Sequence, residues 1–304
     1  MKEIFGFIKE YIRLVDKRIF ACTTLVVALL VFVNYGYGIE MKFISSPFIP
    51  RFLGFFLLYC FIFSISYLFY FLFSKQVSHH RFFYILLPLA ALIFALKISF
   101  DGISGFLTRN IGWPWNRYWY KVLHWPVKSI LVTALIYLIW KIGRYEKPVF
   151  GTGTKKLRLQ PYFLLLIFMI PLIAFAGTQA DFLHTYPKVK NIFFLKEYVS
   201  DINPAAFLYE ICYGIDFFTI EFFFRGFLVL AFIRYAGMNA ILPMAAFYCT
   251  IHFGKPLAEC ISSYFGGIIL GAVVYNTRSI WGGLVAHLGI AWMMEVAGHL
   301  GGKS

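Results

Sequence analysis

The stretch Ile19–Ile39, IFACTTLVVALLVFVNYGYGI, contains no Asp, Glu, Lys, Arg or His. A helix of this length, rising about 1.5 Å per residue, spans the roughly 30 Å hydrocarbon core of a bilayer. The run is longer than a typical signal-peptide core, and no small-x-small cleavage site closes it. It reads as a transmembrane helix that stays in the protein. Ahead of it, residues 1–18 are polar and basic, with Lys2, Lys9, Arg13, Lys17 and Arg18. Beyond it, further uncharged runs fall at Phe52–Ser74, Phe82–Leu96, Ser129–Trp140 and Tyr162–Gly177. The Trp/Tyr/Arg-rich stretch Arg109–Trp125, RNIGWPWNRYWYKVLHW, suits the headgroup layer and is expected to lie in the interface.

The whole chain agrees with this reading. Of its 304 residues 61% are hydrophobic and 14% charged, against roughly 25% charged in a soluble domain. A water-soluble enzyme, a disordered chain and a fibrous protein are excluded. The expected fold is an all-α polytopic membrane protein of about eight or nine transmembrane helices, with a C-terminal helix bundle that carries the chemistry. The net charge of +14 fits loops facing anionic headgroups. No nucleic-acid-binding signature accompanies it, so the lipid bilayer is the expected partner and nucleic acid is not. Cys22, Cys60, Cys212, Cys249 and Cys260 show no CxxC spacing and read as small hydrophobes.

The basic segment Lys141–Arg158 is the expected boundary between residues 1–158, of unassigned role, and 159–304. Its cations put it, with the N-terminus, on the cytoplasmic side by the positive-inside rule. After Pro204 the character changes. Glu210, Asp216, Glu221, Arg225, His252, Glu259, His287 and Glu295 lie in or beside apolar runs. A charge at bilayer depth costs about 2.5–3.5 kcal/mol on insertion scales, so such groups pair or line a functional cavity. Buried ion pairs that merely hold helices together are the plainer alternative.

Glu221 and Arg225 in Glu221-Phe-Phe-Phe-Arg225-Gly226 are four apart and meet on one helical face. The intervening phenylalanines are expected to point toward lipid or neighbouring helices. Gly226 admits a close backbone. Asp216 is expected to face elsewhere. His252 precedes Phe253-Gly254-Lys255-Pro256, where Gly and Pro break the helix. Broken helices at membrane depth are tolerated where they line a cavity. His287 and Glu295 share the last apolar run. Histidines and carboxylates on neighbouring helices can polarise water. They can also hold a divalent ion such as zinc, in which case His252, His287 and Glu221 are the expected ligands. No HExxH is present.

Over about residues 204–299, this order of motifs resembles the CAAX prenyl protease type II family, also called CPBP or ABI. The resemblance implies an intramembrane endopeptidase. In that family a glutamate and a histidine activate water, and a second histidine with an asparagine holds the oxyanion. Glu221 matches the second glutamate of the paired-Glu motif, Arg225 its arginine, His252 the second-motif histidine and His287 the later histidine. Three positions depart. Ile220 replaces the first glutamate, Tyr248 the motif phenylalanine and Ala291 the asparagine. Glu259 and Glu295 are candidate substitutes for the missing glutamate. The implied partner is a hydrophobic or lipidated, prenylated peptide. The alternative is a non-catalytic protein of the same fold that binds such a peptide in an immunity or scaffold role. A bacterial cytoplasmic (inner) membrane is the expected location.

Overall fold

The computed structural model describes residues 2–74, 80–154 and 158–302, so 155–157 of the basic linker lie outside the described residues. Fourteen α-helices follow one another: α1 (Lys2–Leu14), α2 (Lys17–Tyr37), α3 (Ile39–Ile44), α4 (Phe48–Phe73), α5 (Arg81–Ser99), α6 (Gly102–Asn110) and α7 (Trp115–Ile142), then α8 (Gln160–Ala176), α9 (Ala180–Thr185), α10 (Asn203–Glu221), α11 (Ile233–Ala236), α12 (Ile241–Thr250), α13 (Leu257–Thr277) and α14 (Trp281–Gly301). A π-helix, Phe222–Ala231, continues α10, and a 3₁₀-helix covers Lys188–Glu197. No strand occurs among the described residues. The protein is an all-α integral membrane protein.

Among the described residues five helical stretches are long and apolar enough to cross a membrane: Lys17–Tyr37, Phe48–Phe73, Arg81–Asn110, Trp115–Ile142 and Leu257–Thr277. The remaining apolar runs fall short for physical reasons. α8 is shorter, α12 stops after 10 residues at the break, and α14 carries His287 and Glu295. α7 is longer than its uncharged run, because it also takes in most of the aromatic stretch, with Pro126 inside. That stretch packs on the 3₁₀-helix. The Trp113 indole N–H donates to Tyr198 Oη at 2.8 Å, and the Arg117 guanidinium lies 4.7 Å from the Phe194 ring.

In lipid the tails are as apolar as leucine, so helices associate through close packing rather than water exclusion. Rings supply it here. Phe63 on α4 packs on Phe232 and Phe247, and Phe94 on α5 packs on Phe223, Phe224 and Phe247, with centroids 4.9–5.9 Å apart. These distances suit edge-to-face and offset aromatic pairs. The three phenylalanines between Glu221 and Arg225 are thus all buried against neighbouring helices. α4 packs on α2, α5 and α12, and α12 packs on α13.

The close approach expected at Gly226 comes from the basic linker. A Cβ on Gly226 would meet the Phe150 carbonyl oxygen at 2.8 Å. Phe150 is buried. The next residues bind the start of α14: Ile280 N–H donates to the Gly151 carbonyl at 3.0 Å, and the Trp281 indole to the Thr152 carbonyl at 2.8 Å. The middle of the linker therefore straps the π-helix to the helix that carries His287.

Candidate active site

Glu221 ends α10 and is fully buried, as is Arg225 in the wider turns of the π-helix. π-turns recur at functional sites because they re-aim side chains. Arg225 Nη1 lies 3.1 Å from Glu221 Oε1, balancing the carboxylate's charge. The same oxygen is 3.0 Å from His287 Nδ1 on α14. Gly283, one turn earlier on α14, makes the room, since a Cβ there would stand 2.6 Å from Glu221 Oε2. An ionised carboxylate only accepts hydrogen bonds, so His287 Nδ1 is the protonated nitrogen and Nε2 carries the lone pair. His287 keeps 17% of its side chain exposed while Glu221 keeps none. The imidazole, not the carboxylate, is the group open to a reactant.

Tyr248 on α12 joins these elements. Its hydroxyl is 3.1 Å from His287 Nε2, and its ring lies 4.0 Å from the Arg225 guanidinium carbon. Its carbonyl accepts from His252 Nδ1 at 2.9 Å, and the two rings are 4.6 Å apart. His252 sits in the turn after α12, as the break predicts. Its Nδ1–H is committed to the carbonyl, so its lone pair is on Nε2. Phe217 closes another side, 4.8 Å from the His287 ring. Tyr248 was read from the sequence only as an aromatic substitution. Its spacing of four before His252 was the available signal.

The turn that bears His252 is clamped by the N-terminal region. Asn34 Nδ2 donates to the Phe253 carbonyl at 3.1 Å, and Tyr35 Oη to the Lys255 carbonyl at 2.5 Å. Nothing in the uncharged run Ile19–Ile39 marked Asn34 as more than a tolerated polar residue.

The two proposed substitute acids lie in other networks. Glu259, in the first turn of α13, accepts from Tyr186 Oη at 3.1 and 3.2 Å and pairs with Lys255 Nζ at 3.4 Å. Glu295 accepts from the backbone N–H groups of Lys188 and Val189 at 2.7–3.2 Å, capping the 3₁₀-helix. Glu210 neighbours Glu295. Burial, with Lys255 nearby, pushes the Lys188 ammonium down to about 8. Asp216 pairs with Lys97 Nζ of α5 at 2.7 Å, away from the Glu221 face as expected. The structure thus brings Glu221, Arg225, His252 and His287 together around Tyr248, and gives Glu259 and Glu295 no hydrogen bond to either histidine.

Among the described residues no three His, Cys, Asp or Glu groups are arranged to hold a metal. The set His252, His287 and Glu221 does not fit one as it stands. Glu221 Oε1 is held by Arg225 and His287, and both His287 nitrogens are engaged by protein groups. A cavity of about 740 Å³ lies elsewhere, between the end of α7, the linker and Arg278.

A Glu–His pair braced by an arginine in a helical membrane fold is an arrangement able to polarise water. Residues 204–293 match a protein-family model described as Type II CAAX prenyl endopeptidase Rce1-like. The matched segment holds Glu221, Arg225, Tyr248, His252 and His287, and over these residues the chain is similar to that CAAX protease (CPBP) family. That model describes endopeptidases of the CAAX type, and the match covers 90 of the chain's 304 residues. Comparison with curated proteins and with solved structures finds no match.

Proposed function

We propose that the protein is an active intramembrane endopeptidase in which His287 is the base that activates water. The hydrogen bond from His287 Nδ1 to Glu221 Oε1 at 3.0 Å carries this reading. It fixes the tautomer, places the lone pair on Nε2 and stabilises the imidazolium formed when water loses its proton, the logic of an acid–histidine pair in hydrolases. Arg225 holds Glu221 in place. His252, with Nε2 as acceptor, accepts a hydrogen bond from the water's other hydrogen. Water is polarised from two sides and attacks the scissile carbonyl carbon. The proton on His287 then passes to the leaving amine. The missing glutamate at Ile220 is thereby bypassed, because the base is an imidazole.

The substrate is a hydrophobic peptide at the membrane, of the lipidated, prenylated class, and the membrane is a bacterial cytoplasmic one. The lack of soluble-domain surface and the family match support the first. By the positive-inside rule the basic linker and N-terminus would face the cytoplasm.

A non-catalytic, peptide-binding reading is favoured by Ile220 and Ala291. The deciding experiment presents detergent-solubilised protein with a panel of hydrophobic and farnesylated peptides, with and without a chelator. The peptidase reading expects cleavage by wild type, and none by Glu221→Gln or His252→Ala, both still folded. Binding of a panel member without cleavage by any form supports the second reading.

A further inference from the structure

Tyr248 has a hydroxyl that packing alone does not explain. Its ring contacts with Arg225, His252 and Phe224 (5.0 Å) would be kept by phenylalanine, and so would its carbonyl bond to His252. The O–H adds one contact, to His287 Nε2 at 3.1 Å. Burying a hydroxyl costs about 1–3 kcal/mol unless it is hydrogen-bonded. Since Nδ1 is protonated toward Glu221, Nε2 is an acceptor and the phenol is the donor. A phenolic donor therefore lies against the nitrogen assigned above as the base. Ala291, one turn beyond His287 on α14, is buried and supplies no polar group.

We propose that the Tyr248 hydroxyl is the oxyanion donor of the site and thus a catalytic residue. This rests on the peptidase reading above. In the free protein the hydroxyl caps Nε2. With a peptide and a water in place, the water takes over Nε2 and the phenol turns its O–H to the scissile carbonyl oxygen. One water proton moves to Nε2, the hydroxide oxygen bonds the carbonyl carbon, and the C=O π pair moves to oxygen. There the Tyr248 O–H hydrogen-bonds the oxyanion without giving up its proton. The oxyanion then re-forms C=O, the C–N bond breaks, and the proton on Nε2 goes to the amine nitrogen. The capped resting state also keeps the base from acting on stray water.

The test compares wild type, Tyr248→Phe and Glu221→Gln on the same farnesylated and hydrophobic peptide panel, reading kcat and KM separately. Binding of a peptidyl trifluoromethyl ketone, whose hydrate mimics the tetrahedral oxyanion, is measured alongside. Loss of an oxyanion donor typically lowers kcat by about 10²–10³-fold. Tyr248→Phe is expected to show that loss with KM within about twofold and the ketone's Kd raised by a similar factor. Wild-type cleavage with unchanged kcat and ketone binding in Tyr248→Phe overturns the proposal and leaves the peptidase reading standing. A wild type inert across the panel, or cleavage that survives in Glu221→Gln, overturns the reading and the proposal with it. Should Tyr248→Phe fail to fold, 3,5-difluorotyrosine at 248 keeps the ring and acidifies the phenol. The alkaline limb of kcat is then expected to move to lower pH, and an unmoved limb overturns the proposal.

Discussion

The region from α2 to α5 and the region from α10 to α14 are built from the same material, yet they handle polarity in opposite ways. Both bury phenylalanine and tyrosine rings against each other in one continuous core. The first has few polar groups, and two of those that are buried reach across to the second: Asn34 holds the carbonyl beside His252, and Lys97 pairs with Asp216. The second gathers Arg225, His252 and His287 around Tyr248. The N-terminal helices act as a frame whose polar contacts brace the site. Buried charge in the frame costs several kcal/mol unless paired, whereas in the site the same charges are retained for what they do to a proton.

Four substitutions would break or sharpen this contrast. The largest effect is expected in the site. Glu221→Gln leaves His287 without its carboxylate and should lower kcat of the folded fraction by about 10³–10⁴-fold, while stranding the buried Arg225 costs about 3 kcal/mol in stability, as peptide cleavage and a melting curve would show. An unchanged kcat in the folded fraction would make Glu221 a structural residue, like those of the frame.

In the frame the order reverses. Lys97→Met strands Asp216 and should destabilise the fold by about 3 kcal/mol while leaving kcat of the folded fraction intact. The double variant Lys97→Met/Asp216→Leu should recover most of that loss in denaturant titrations. If the double variant is as unstable as the single, the pair is not what holds α5 to α10.

Gly283→Ala tests the seam between the regions of packing and chemistry. A methyl group 2.6 Å from Glu221 Oε2 must push the carboxylate aside. The expected result is roughly a tenfold or greater loss of kcat with a cost of about 1–3 kcal/mol in stability. Asn34→Leu should have the smallest effect, about 1–3 kcal/mol from the unsatisfied Phe253 carbonyl and Glu40 N–H, with a modest fall in kcat through a looser His252. Unchanged kcat in this variant would sever the frame from the site.

The membrane fold was legible because uncharged runs the length of a bilayer admit few other readings. Glu221, Arg225 and Gly226 were legible because their spacing fixes a shared face and a close approach. The sequence pattern stopped where contacts span the chain. Lys97 lies one residue past the uncharged run Phe82–Leu96, yet α5 continues through Ser99 and buries it. Its partner is 119 residues away, and no local pattern announces such a pair. Glu259 and Glu295 looked close to the histidines in the chain. Helix direction instead turns one to Tyr186 and the other to the backbone of Lys188. Tyr248 was undervalued because the pattern weighed its ring and not its hydroxyl.

The most direct test of the account is cleavage of a farnesylated or hydrophobic peptide in water enriched in ¹⁸O, with wild type and Glu221→Gln side by side and the products read by mass spectrometry. The account predicts a single ¹⁸O in the new carboxylate made by wild type and no product above background from the variant. Product made equally well by Glu221→Gln, or no product from wild type on any peptide that binds, would contradict it.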